Sequence, residues 1–195
     1  MCRMPMDDSL VIERSASRQR PLANLRGSKV TRIHPMSRRL LFLLLCGGAV
    51  QAAPLPVAPQ LNLAAAEQLA AAARAACAAR GKAITVAVLD AGGQTVLLAR
   101  GDGVGPHNSE AARRKAYTAL STKTATLQLA RNARANPDTA NLALLPELLL
   151  LGGGVPLWQG EALVGAVGVA GGGGPEGDDA CARAALTARS DLQTR

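Results

Sequence analysis

Aromatic residues are almost absent from this chain: one Trp, one Tyr and one Phe in 195 residues. That scarcity argues against a single-stranded nucleic-acid binder, because such sites stack bases on aromatic rings. Histidine is equally thin, with His34 and His107 only, and the four cysteines form no CxxC pair or Cys/His cluster. A zinc site needs about four such ligands at close spacing, so structural zinc is excluded as a reading. There is no GxSxG elbow and no P-loop with its Lys-Ser/Thr pair. Long apolar runs are missing too. The run Leu40–Val50 falls well short of the ~20 residues needed to span a bilayer.

The charge is unevenly placed. Residues 1–53 carry nine basic and three acidic residues, a net +6, whereas 54–195 carry thirteen and eleven, a net +2. The basic excess therefore belongs to the N-terminal segment, and the remainder has no basic face of the kind nucleic acid requires. Within that segment Met36-Ser37-Arg38-Arg39, the apolar run and Val50-Gln51-Ala52 read as a signal peptide with a small-residue cleavage site. On this reading 36–52 is removed and the product is periplasmic or secreted, with no stable membrane insertion afterwards. Residues 1–35 are then a disordered extension or lie upstream of the true start, and Pro54–Pro59 is an extended linker to a domain over 61–190.

Periodicity places the elements of that domain. Asn62 caps a helix ending near Arg80, with Gly81 as its stop. In Ile84–Leu89, Ile84, Val86 and Val88 alternate with Thr85, Ala87 and Leu89, as in a strand largely buried on both faces. Asp90-Ala91-Gly92-Gly93 turns it into a second strand at Thr95–Ala99. Helices follow at about Asn108–Lys123 and Thr126–Ala135, then a polar loop at 136–141. A strand is expected at Leu148–Leu151, and a hairpin pairs Val155–Trp158 with Ala162–Ala170 across Gln159-Gly160. Pro175 opens a last helix, its acids complementing the dipole. The plan is α+β, an antiparallel sheet flanked by helices.

The stretches VAVLDAGGQTVLLARGDG, ARRKAYTAL, LLGGGVPLWQGEALVGAVGVAGG and PEGDDACARAA resemble the GlcG/HbpS-like family of haem-binding or haem-degrading proteins, over essentially all of 61–189. The resemblance implies a single profilin-like or PAS-like domain and assembly into homo-oligomers. It also implies terminal helices lying side by side, where Cys77 and Cys181 either form a disulfide or sit apart as two small buried residues.

Functionally it implies an exported haem- or tetrapyrrole-binding protein in haem sequestration or handling. The alternatives are an enzyme or accessory protein acting on a small organic acid, and a non-catalytic sensory or scaffold domain. His107 is the candidate metal ligand to haem iron, and otherwise an exposed loop histidine. Arg113, Arg114 and Lys115 suit haem propionates, and otherwise form a solvated helix face. Tyr117 could stack on a porphyrin, and otherwise is a core aromatic with its hydroxyl at the rim. No catalytic acid, base or nucleophile is assigned. The glycines at 152–154 and 171–174 suit tight turns, since Glu176, Asp178 and Asp179 would repel an anion there.

Overall fold

The computed structural model of the chain describes residues 58–195. The expected signal peptide and upstream extension lie outside the described residues, as does most of the linker. The first helix, α1, runs over Leu63–Ala78, and the Asn62 side chain accepts a hydrogen bond from the Ala65 amide at 2.9 Å. Strands β1 (Thr85–Asp90) and β2 (Thr95–Arg100) form the first hairpin. Then come α2 (His107–Thr122), α3 (Thr126–Ala135) and one helical turn, α4 (Pro137–Ala140). Strands β3 (Gly154–Gln159) and β4 (Ala162–Ala170) form the second hairpin, and α5 (Pro175–Ala184) follows. Among the described residues no helix is long and apolar enough to cross a membrane.

The four strands make one antiparallel sheet in the order β2-β1-β4-β3. Each face carries its own apolar layer. Val86, Val88, Val167 and Val169 point toward α1 and α5, while Ala87, Leu89 and Ala166 point toward α2. This explains why β1 is apolar from Val86 to Leu89 and buried from Thr85 to Leu89: both its faces are covered. The fold is a single α+β domain with helices on both sides of the sheet, as expected.

Helix α2 lies close against its face because two glycines of the sheet leave room beneath it at the closest approach. Gly154 and Gly168 are cross-strand partners. A Cβ on Gly168 would overlap the Ala112 carbonyl, and one on Gly154 would overlap the Lys115 carbonyl. Gly168→Ala should therefore push α2 outward at a cost of about 1–3 kcal/mol, the usual range for overpacking. Urea denaturation measures it, and an unchanged midpoint would mean that α2 is not seated there.

The expected strand at Leu148–Leu151 does not form. Its backbone groups are taken by side chains instead: Thr118 Oγ1 accepts from the Leu149 amide at 2.8 Å, and Thr126 Oγ1 donates to the Leu151 carbonyl at 2.8 Å. Local turn bonds, Leu148 to Leu145 and Leu151 to Leu149, complete the segment. A run of leucines supplied the β-like pattern, but the segment's backbone groups pair with no strand among the described residues. The polar stretch after α3 also differs from expectation, since Pro137–Ala140 turns helically behind an Asn136 cap.

Cys77 and Cys181 are joined in a disulfide with their Cα atoms 5.6 Å apart, tying α1 to α5. Of the two arrangements open to these residues, the bonded one holds. Arg80 lies over the junction and donates to the Gly177 carbonyl at 3.2 Å.

Candidate functional site

The residues singled out from the sequence all lie on α2, but they do not share one environment. The helix begins at His107, directly after Gly105-Pro106, and Asn108 Nδ2 donates to the Gly105 carbonyl at 3.1 Å. That bond folds the entry loop under the helix start. The His107 ring lies over Gly105, whose hypothetical Cβ would sit 3.0 Å from the ring Cε1. His107 is exposed, and no hydrogen bond among the described residues uses its ring nitrogens.

One turn on, Glu110 and Arg113 form a bidentate pair, with Nε–Oε2 at 2.9 Å and Nη2–Oε1 at 2.7 Å. The guanidinium holds the Glu110 carboxyl below the ordinary carboxylate range and is itself held further up by the carboxylate. Both groups are well exposed, so the pair contributes little to stability. Its effect is to fix the Arg113 fork on the outer surface, with Nη1 left unused.

Arg114 turns toward the leucine segment, its Nη2 donating to the Leu148 carbonyl at 2.5 Å. Its Nε is buried without a partner. The segment it anchors carries Leu144, Leu145 and Leu151 into solvent, Leu144 at 78 % exposure. Tyr117 is half-buried, with its ring against Gly93 in the β1–β2 turn. This placement matches a rim aromatic more than a free stacking platform.

Lys115 stands apart from both neighbours. It is 1 % exposed, and its Nζ donates to Asp178 Oδ2 at 2.6 Å and to the Val169 carbonyl at 3.1 Å. Asp178 belongs to α5, on the opposite face of the sheet. The lysine reaches it past Gly153, where a Cβ would lie 3.2 Å from Nζ. Its charge is neutralised inside the fold, so neither a solvated face nor an outside propionate describes it. The other Asp178 oxygen accepts from the Gly172 amide at 2.5 Å. The second glycine loop thus already holds an anion, the protein's own carboxylate. The sequence presented Asp178 as an acid complementing the dipole and repelling an outside anion; its pairing with Lys115, 63 residues away, has no local signal.

Among the described residues no group of three or more His, Cys, Asp or Glu side chains is placed to hold a metal ion. Any iron held here would need its remaining ligands from a macrocycle, and an exposed imidazole with neighbouring guanidinium groups is a donor set that suits haem. A groove of about 640 Å³ lies elsewhere, along α1, and no imidazole, thiol or phenol lines it.

Comparison with known proteins agrees with this architecture. The family model for haem degrading protein HbpS-like matches residues 61–187. The crystal structure of HbpS is 38 % identical, with a TM-score of 0.65, over 71 % of this chain and 98 % of that one. Klebsiella pneumoniae protein ORFY is 31 % identical, with a TM-score of 0.63, over 72 % and 100 % of the two chains. A PduOC–heme complex is 28 % identical, with a TM-score of 0.63, over 70 % and 99 %. No curated protein sequence matches the chain. A family model covering the whole sheet and every major helix, together with these identities, shows that the chain belongs to the HbpS-like haem-degrading protein family.

Proposed function

We propose that this chain is an exported haem-binding protein that sequesters or hands on haem, with His107 as the iron ligand. The observation that carries the reading is the free imidazole at the start of α2, exposed and claimed by no other group. Arg113 lies six residues further along the helix, a rise of about 9 Å and a rotation of about 240° past a full turn, so it meets a haem propionate only by reaching round the helix. Arg113 and Arg114 are the cations offered to those propionates; Lys115 is withdrawn from that set by its pairing with Asp178. The exposed leucines of the segment held by Arg114 supply apolar surface on the same side of the sheet as α2. A family relative solved with heme supports the ligand class. The signal-like segment and the Cys77–Cys181 disulfide support export to an oxidising compartment.

The propionate contacts are tested by comparing haemin with its dimethyl ester. Haemin should bind more tightly by about five- to tenfold, the worth of an exposed charge pair of about 1 kcal/mol, and Arg113→Ala should erase most of the difference. Equal affinity for acid and ester in the wild type would remove Arg113 and Arg114 from the site. Titration with glycolate under the same conditions should give no binding; saturable glycolate binding without haemin binding would favour the small-acid reading.

A further inference from the structure

The groove of about 640 Å³ runs along the exposed side of α1 to Gly101 and Asp102 at the end of β2. Its size falls within the range of about 300–1,000 Å³ usual for small-ligand sites. Alanines create the space: Ala71, Ala75 and Ala78 lie a turn apart on the helix and leave no long side chain to fill it. Ile84, buried just before β1, closes the floor, and its carbonyl accepts from the Gly101 amide at 3.0 Å.

Three charged side chains stand in this lining: Arg74, Lys82 and Asp102. None of them has an ion-pair partner among the described residues. Arg74 rises from the alanine stripe itself. Lys82 follows the left-handed Gly81 that ends the helix, and its stem runs along Gly173, whose added Cβ would lie 3.4 Å from the lysine Cε. Two cations against one acid leave the lining a net +1 over an apolar floor.

We propose that this groove binds an aliphatic monocarboxylate, its carboxylate held by Arg74 and Lys82 and its alkyl chain laid along the alanine stripe. The arginine fork can take both carboxylate oxygens, and the ammonium adds a second charge-assisted bond. Each methylene laid on the alanines and Ile84 leaves water, so affinity grows with chain length. Asp102 in the same lining disfavours a second carboxylate on the ligand. A small hydroxy acid has no chain to bury and gains only the charge contact, which is weak at an exposed site. The groove and the His107 helix lie on opposite faces of the sheet, so the inference is independent of the haem reading.

The probe is octanoate, titrated into isotope-labelled protein and followed by amide NMR. Shifts should saturate with a dissociation constant of about 1 mM or below and centre on Ala71–Lys82 and Gly101. Octanol, the same chain without the charge, should bind at least about fivefold more weakly, the scale of an exposed charge pair. Changing Arg74→Ala and Lys82→Ala together should reduce octanoate to the affinity of octanol, and Ala75→Trp should block both. These three positions are exposed, so circular dichroism should report an unchanged fold. His107→Ala should titrate like the wild type. No saturable shift below about 10 mM, shifts centred elsewhere, or octanol binding as well as octanoate would overturn the proposal. So would an Ala75→Trp protein that binds like the wild type, or loss of octanoate binding in His107→Ala.

Discussion

Lys115→Met should cost about 3–5 kcal/mol of folding stability, more than any other single substitution considered above. The reason is the group it abandons. Asp178 is buried, and without the ammonium its charge keeps only the Gly172 amide as a partner. Asp178→Asn should also be costly, because it strands the lysine among Val169, Gly153 and the sheet. The pair changed together, Lys115→Met with Asp178→Asn, should be less destabilised than the sum of the singles. Asparagine can still accept from Gly172, and neither charge is left unpaired. Urea unfolding of the four proteins measures the cycle. A loss under about 1 kcal/mol for Lys115→Met, or strictly additive losses, would show that the pair does not join α2 to α5 as described.

Reduction of the Cys77–Cys181 disulfide should lower stability by about 2–5 kcal/mol, the range for a native crosslink that closes a long loop. The two residues are 104 apart in sequence, so on the chain-entropy view the oxidised unfolded state is strongly restricted. In a domain of this size each kcal/mol moves the melting midpoint by about 3–4 °C, so reduction should lower it by on the order of 10 °C. Calorimetry with and without a dithiol, with free thiols counted in each sample, checks this. Equal midpoints for the oxidised and fully reduced protein would mean that packing alone holds α1 against α5.

The elements that could be read directly from the sequence were those whose signals are local. Asn62 and Gly81 bracket α1 because a side-chain cap and a left-handed glycine act within one turn. The two hairpins announced themselves through Gly92-Gly93 and Gln159-Gly160, and the apolar run of β1 matched its burial on both faces. Leu148–Leu151 misled because apolar periodicity does not reveal whether a neighbouring strand has a free edge. Thr118, Thr126 and Arg114, far away in sequence, decided that segment's structure.

The same limit applies to the candidate site. Arg113, Arg114 and Lys115 are consecutive and chemically alike, yet the helix turns them to three destinations: an ion pair on the surface, a loop carbonyl and the far side of the sheet. Only the position of Gly153 and Gly154 relative to α2 separates the third from the first two. His107 needed no such knowledge, since a histidine directly after Gly-Pro at a helix start is exposed on local grounds.

The central claim is that His107 holds haem iron, and a haemin titration followed in the Soret region tests it most directly. The wild-type protein should give a saturable red-shifted band. In His107→Ala the shift should vanish or its affinity fall more than about tenfold, a loss of about 1.4 kcal/mol or more. A wild type without a Soret shift, or a His107→Ala protein that titrates like the wild type, would contradict the account.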